Sequence, residues 1–417
     1  MTTGTAAPPP SAADTALAAD DVDRPGRLQR LRALPGLAYV LTVYLVVRVA
    51  LFVVGLVSVA LVPRNTVADV PGWPAPPLTA GWHNIFTAWE RWDALWLLRI
   101  ASEGYRQDDS SAAFFPLYPL LVRALGNVLG DRWLLSAYLV SNISLIAALL
   151  VVYALTRREF GDRMARLTVL LLCVFPTGLF LFAPYSESLF LLLAAGCLLA
   201  LRTGRFPLAA LLGMAASGTR SVGLLLAIPI AIEAVHRAVE SPAGDRMRRR
   251  FPLHVLCAAA VPLGMGAYLL WWHAVAGDAT RPLNVQGGFG RERTWPWESV
   301  EAGVRIGLQF VGSFPGGYHT ADAMLVLLTF ALGLWVALRT RWLYGAWTWA
   351  NLIFPLLLPF PGRPFVSMPR YAIVVIPLFW ALARFAVRYR ASDAVVAISA
   401  CGLGMFSLLF VNWFFIY

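Results

Sequence analysis

Apolar positions run in long, nearly unbroken blocks along this chain, separated by short polar segments rich in arginine. About 20 consecutive apolar residues are enough to cross the hydrocarbon core of a bilayer as a helix. Read that way, the sequence predicts spans at 36–62, 133–155, 167–184, 186–201, 206–219, 221–237, 252–273, 321–338, 342–360, 371–388 and 393–415, or about 11 crossings. The fifth and sixth are short and separated only by Gly218, Thr219 and Arg220, so they are either a hairpin of two half-spans or one broken helix. The expected fold class is therefore all-α, a polytopic transmembrane helical bundle. Residues 34–417 form a single membrane-embedded domain, preceded by a tail over 1–33. That tail is rich in Ala, Pro, Asp and Thr and reads as disordered up to the basic anchor RPGRLQRLR at 24–32.

The arginines set an expected sidedness. With the N-terminus cytoplasmic, the inner segments 24–32, 156–166, 202–205, 237–250, 339–341 and 388–390 hold 19 arginines. The much longer outer segments 63–132, 274–320 and 361–370 hold 12. Positive charge accumulates in cytoplasmic loops, which favours this orientation and places the C-terminus outside. Treating 206–237 as one span would move Arg246, Arg248, Arg249 and Arg250 outside, which favours the hairpin. The two long loops, 63–132 and 274–320, then face the extracytoplasmic side of a multi-pass cell-membrane protein, and function is expected there.

Composition narrows the class. The chain has 417 residues, 59% hydrophobic and 14% charged, too little polar surface for a soluble fold of this size. Its net charge of +11 comes entirely from arginine over acid, and no lysine is present. The arginines are scattered between apolar runs rather than gathered on one soluble face, so nucleic acid is not an expected partner. The four cysteines lie in apolar runs without CxxC spacing and read as packing residues. No clustered His, Asp and Glu set suggests a metal, and no cofactor is expected.

The first outer loop carries the candidate chemistry. On a helical wheel from Asp93 to Tyr105, Asp93, Trp96, Leu97 and Ile100 share a face, with Arg99 and Ser102 opposite. This predicts an amphipathic helix along the membrane surface, with an acid on its apolar face. Such a carboxylate either simply meets the positive end of the helix dipole or faces a polar cavity as a general base. Glu103 and Arg99, four apart, read as a surface pair. FFPLYP at 114–119 turns stiffly into a short apolar helix, and its rings either line a groove or sit in an interfacial belt.

The stretch RWDALWLLRIASEGY at 91–105 and FFPLYP at 114–119 resemble the PIG-V-type mannosyltransferases of the GT-C superfamily of membrane glycosyltransferases. PYSESLFLLL at 184–193, GTRSVGLLLA at 218–227 and PRYAIVVIPLF at 369–379 extend the resemblance, in the expected order, over most of 85–380. Where that family shows Arg-Ser-Asn-Gly, this chain has Arg220-Ser221-Val222-Gly223. The resemblance implies a GT-C-like fold and a polyprenyl-phosphate-mannose donor. It also implies inverting transfer to a lipid or glycan acceptor, an outward-facing site, and an aspartate base that falls on Asp93.

Other polar residues in apolar surroundings complete the candidate site. Glu187 opens a span and is either a substrate contact or an interfacial acid at a helix start with Ser186 as its cap. Arg220, at the tip of the hairpin, is placed to bind a lipid phosphate or to neutralise Glu187. Arg370 and Tyr371 begin a span on the outer side, where a phosphate contact and an ordinary interfacial anchor are both open. His319 in the second outer loop and Arg91 beside Asp93 are further substrate-binding candidates. Arg48 is expected to pair internally or snorkel, and Glu233 to be structural. In the second loop, Trp295 and Trp297 fit sugar stacking or membrane contact equally well. Two alternatives stay open: a related GT-C transferase using another lipid-linked sugar, and a multi-pass transporter, which also has broken helices and buried charges; substrate-dependent sugar transfer against solute flux separates the transporter from a transferase.

Overall fold

The computed structural model describes residues 36–68, 70–76, 81–242, 249–288, 290–313 and 316–414. The tail at 1–33 with its basic anchor, and Arg246 and Arg248, lie outside these residues. Among the described residues the structure is helical, with only two isolated bridges, Val70 to Trp73 and Phe360 to Arg363. Each predicted span falls on a helix or on a closely spaced pair. Among the described residues, five helices are long and apolar enough to cross a membrane alone: Leu37–Leu61, Trp133–Phe160, Ser221–Glu240, Tyr318–Arg339 and Ser392–Val411. The pair Phe251–Ala260 and Leu263–Ala276, bent by 42°, adds a sixth if it is one span. The other predicted spans hold shorter helices.

Apolar composition explains these helices, and specific residues end them. Gly36, Gly161 and Gly277 take φ of 82°, 87° and 70°, values that β-carbon sterics reserve largely for glycine. Pro207 and Pro252 lie in the first turns of their helices, where the missing N–H costs nothing. Arg157 and Arg158 end the Trp133–Phe160 helix, where cations favour the dipole.

Exposed Leu45, Val46, Val49, Val53 and Val57 coat the outer face of the first long helix. A soluble bundle would place polar residues there; a lipid-facing helix has no such need. The opposite face packs on the Asp162–Val174 and Ser392–Val411 helices. Polar side chains join helices inside this apolar mass. The Asn412 amide donates to Ser58 Oγ at 2.6 Å, and Ser58 Oγ donates to the Leu408 carbonyl at 2.8 Å. Arg48 is buried and donates to the Asn142 side chain and to the Phe182 carbonyl at 2.6 Å, the internal pairing expected of it. Glu233 accepts from Arg237 at 2.8 Å and lies 3.6 Å from Arg202, a structural network.

The centre of the bundle is the Glu187–Arg202 helix, packed between Trp133–Phe160 and Phe206–Ser217 and buried over almost its whole length. The 206–237 segment takes the hairpin form. After Phe206–Ser217 the chain turns at 218–220 and enters a 3-10 stretch, Ser221–Leu226, which packs back on the helix it left. Ala227–Glu240 follows, also in contact with Phe206–Ser217. Gly223 permits this close return: a Cβ there would lie 2.3 Å from the carbonyl of Ala216. The turn holds Arg220 beside the start of the Glu187 helix.

Candidate functional site

A cavity of about 440 Å³ opens where the first long loop, the hairpin turn and the second long loop meet the Met368–Ala372 helix. Trp92, Trp96, Phe114 and Phe115 give it an aromatic side, while Asp93, Arg220, Arg291, Arg370 and Tyr371 give it a charged one. Volumes of this order are typical of small-molecule sites.

The Asp93–Glu103 helix brings Asp93 to the cavity in its first turn. The residue before it, Trp92, has φ 53° and ψ −117°, a conformation costly for a bulky side chain. Across the cavity, Ser367 at φ 64° precedes the short helix that carries Arg370. Backbone strain of this kind costs of order 1–3 kcal/mol per residue and persists where surrounding structure imposes it. Here it flanks both members of one ion pair: Arg370 Nη1 lies 2.6 Å from Asp93 Oδ2.

That pair belongs to a longer chain of charge. Arg370 Nε also donates to Glu187 Oε1, and Arg220 Nη1 reaches the same oxygen at 2.5 Å. Arg220 Nη1 further donates to Ser186 Oγ at 3.3 Å. The order is Arg220, Glu187, Arg370, Asp93. Glu187 is fully buried, whereas Asp93 keeps 34% of its side chain exposed at the cavity wall. Arg370 stacks over the Tyr185 ring, 4.8 Å from its centroid, and Arg220 over Tyr371, 5.4 Å away. Two carboxylates and two guanidiniums compensate one another, and burial is tolerable only because they do. Asp93 occupies the helix start and also faces the cavity. For Glu187, Ser186 precedes the helix but makes no side-chain cap bond, so the acid serves the arginines.

Three of the expected contacts lie elsewhere. Arg91, two residues from Asp93, points away from the cavity. Its Nε donates to the Val411 carbonyl at 3.0 Å, its Nη1 to the carbonyls of Thr87 and Glu90 at 2.9 Å each, and it stacks on Trp413. These bonds make it a structural arginine tying the first loop to the last helix. Glu187 is behind the cavity wall rather than in it. His319 packs between the rings of Tyr318 and Phe310, outside the cavity lining. Arg363 pairs with Asp322 at 2.7 Å. Trp295 and Trp297 stack on each other, exposed and outside the cavity lining.

The helix bearing Asp93 also differs from the surface helix predicted for it. Residues 97–101 are all buried, Arg99 included. Arg99 Nη1 lies 2.5 Å from Asp109 Oδ2, and Glu103 pairs with Arg106 instead. The chain after the helix folds underneath it, so the wheel's polar side is covered by a 3-10 turn, Ser110–Ala113, whose preceding Asp109 neutralises the arginine. Burial alone would raise the Asp109 pKa; hydrogen bonds from Arg99 and Ser111 outweigh it and hold the carboxyl below its ordinary value. Arg291 was missed at the sequence level. It lies among glycines, with no spacing or apolar context to mark it.

Fold and cavity together define a multi-pass helical membrane protein with a charged, aromatic-walled pocket between its long loops. The chain belongs to the PIG-V mannosyltransferase family, whose model matches residues 38–268. The match includes Asp93, Glu187 and Arg220; Arg291, His319, Arg370 and Tyr371 lie beyond it. GPI alpha-1,6-mannosyltransferase 2 of Rattus norvegicus is 36% identical over 148 residues, 32% of this chain and 29% of the relative. GPI mannosyltransferase 2 of Yarrowia lipolytica is 33% identical over 141 residues, 33% of this chain and 38% of the relative. The chain thus aligns with about a third of the length of these relatives. Among solved structures, ArnT from Cupriavidus metallidurans bound to undecaprenyl phosphate is similar, at 16% identity and a TM-score of 0.48. The similarity covers 89% of this chain and 76% of that one.

Proposed function

We propose that the protein is an integral membrane glycosyltransferase moving mannose from polyprenyl-phosphate-mannose to a lipid or glycan acceptor on the extracytoplasmic face, with inversion. Membership of a mannosyltransferase family supports the sugar and reaction class. The observation that carries the reading is a partly exposed carboxylate, Asp93, on the wall of a cavity whose lining also brings in Arg220, Arg291, Arg370 and several aromatic rings. A carboxylate in that position accepts a proton, and guanidiniums beside it suit a departing phosphate.

The step balances without a further reactant. The acceptor hydroxyl oxygen attacks the anomeric carbon and forms the new glycosidic bond. The bond from that carbon to the phosphate oxygen breaks, and its electron pair leaves with the polyprenyl phosphate. The hydroxyl proton passes to Asp93. Attack opposite the leaving group inverts the anomeric centre. Arg370 holds the Asp93 carboxylate in place, and Arg220 supplies positive charge for the departing phosphate. Trp96 and Phe114, stacked at 5.7 Å, offer an aromatic wall for the sugar. The bilayer presents the donor in two dimensions, reducing the entropy of encounter.

The test uses purified protein, polyprenyl-phosphate-linked radiolabelled mannose and a total membrane lipid extract. Wild type is expected to move label to a new product. Asp93→Asn is expected to lose about 10²–10⁴-fold in rate, the usual contribution of a positioned base. Full activity in that variant would overturn the base assignment, and no transfer by wild type would overturn the donor.

A further inference from the structure

Within the cavity, the two arginines with the plainest sequence signal for phosphate are already committed. Arg370 is shared between Asp93 and Glu187, and Arg220 is held by Glu187. A third guanidinium faces the same space. Arg291, half-buried in the second outer loop, pairs with no carboxylate among the described residues. Its Nη1 donates to the Leu358 carbonyl at 2.9 Å, its Nη2 lies 3.5 Å from Tyr371 Oη, and it stacks on Phe360 with its central carbon 4.9 Å from the ring centroid. Tyr371 thus sits between Arg291 on one side and Arg220 on the other.

The backbone fixes this position. Gly290 takes φ 76°, a turn that brings the chain over Phe360. Glu292 N–H then donates to the Pro359 carbonyl at 3.1 Å, and Thr294 N–H to the Leu357 carbonyl at 3.3 Å. Arg291 is therefore anchored by its neighbours and by one carbonyl, with several guanidinium donors in hand. Counting Arg220, Arg291 and Arg370 against Asp93 and Glu187, the site carries one positive charge in excess, and the surplus is Arg291. Guanidinium donors form a planar fork that matches phosphate oxygens, and a charge without a carboxylate partner is the one an incoming anion satisfies.

We infer that Arg291 is the residue that recognises the lipid phosphate, a diester in the sugar donor and a monoester once the sugar has left, with Tyr371 and Arg220 completing the edge of that subsite. The inference rests on the reading of the cavity as a lipid-linked sugar site. It divides the work: Arg370 and Glu187 hold the base, while Arg291 holds the leaving group from a different loop.

The test measures binding of polyprenyl phosphate and of the uncharged polyprenol to the full chain in nanodiscs, for wild type, Arg291→Gln and Arg291→Lys. Mannose transfer is assayed in parallel. Wild type is expected to prefer the phosphate lipid. Arg291→Gln is expected to lose about 10- to 100-fold in affinity for it, the scale of one charge-assisted contact, with polyprenol binding unchanged. Arg291→Lys is expected to recover part of the loss, because it keeps the charge but not the fork. Equal affinity of wild type and Arg291→Gln for polyprenyl phosphate would overturn the inference, whether or not transfer is seen. So would a wild type with no preference for phosphate over polyprenol. If the phosphate-lipid difference is found but wild type transfers no mannose, the Arg291 assignment holds and the mannosyl donor is wrong. Unchanged polyprenol binding by Arg291→Gln shows that the variant is folded.

Discussion

At the residue scale, the site is a chain of four charges whose members differ in burial. Glu187 has no exposed surface and serves two guanidiniums through one oxygen; Asp93 is wetted by the cavity. Removing one partner of a buried pair costs about 3–5 kcal/mol, because the other charge is left without compensation. Glu187→Ala is therefore expected to lower the melting temperature in detergent sharply. Asp93→Asn, at the wetted end, is expected to cost at most about 1 kcal/mol. Thermal unfolding of the two variants side by side checks the order, and a larger loss from Asp93→Asn would contradict it. Activity separates them the other way, since Asp93→Asn should melt within about 1 kcal/mol of wild type and still lose most of its transfer rate.

At the element scale, two local constructions place these residues. The first is the return of the hairpin turn against Phe206–Ser217. A methyl group on Gly223 would collide with the backbone at Ala216, so Gly223→Ala is expected to destabilise by about 1–3 kcal/mol, as overpacking does. It should also displace Arg220. Gly266 lies in the Leu263–Ala276 helix with nothing within 4 Å of its would-be Cβ, and Gly266→Ala is expected to be neutral or slightly stabilising. Melting curves of both variants test the packing. The second construction is the Arg99–Asp109 pair beneath the Asp93 helix. Asp109 has a depressed pKa in the folded protein, so its contribution is present above the ordinary carboxylate range. That contribution is lost as pH falls through the lowered folded value. Asp109→Asn should therefore melt below wild type near neutral pH, with the gap closing as the medium is acidified. A gap independent of pH would show that the pair is not what holds the helix.

At the scale of the whole molecule, the orientation expected from where the arginines fall can be read by labelling. In a Cys401→Ser background, which removes the exposed native thiol, Asp108→Cys in the first long loop is expected to react with a membrane-impermeant maleimide added to intact cells. Thr203→Cys in the short 202–205 segment is expected to react only after the membrane is opened. The reverse pattern would place the cavity on the cytoplasmic face and exclude the proposed donor geometry.

Much of the architecture was legible in the sequence because helix formation in a bilayer is a local matter. Every apolar run of sufficient length satisfies its backbone only by coiling, and each predicted span falls on helix. Asp93, Arg220, Arg370 and Tyr371 could be picked out for the same kind of reason, as polar groups in apolar surroundings that require partners. Which partners they find was decided only by the tertiary structure. Glu187 meets Arg220 across 33 residues and Arg370 across 183, and Arg370 meets Asp93 across 277. Arg91 and Arg99 sit as close to Asp93 in sequence as any candidate, yet each turns to other contacts, the last helix and Asp109. Arg291 carries no sequence signal at all, being one charge in a glycine-rich loop, and becomes conspicuous only once the chain delivers it beside Tyr371. Local hydrophobicity determines which segments are helices. Charge compensation between distant segments, which no local pattern encodes, determines what those helices enclose.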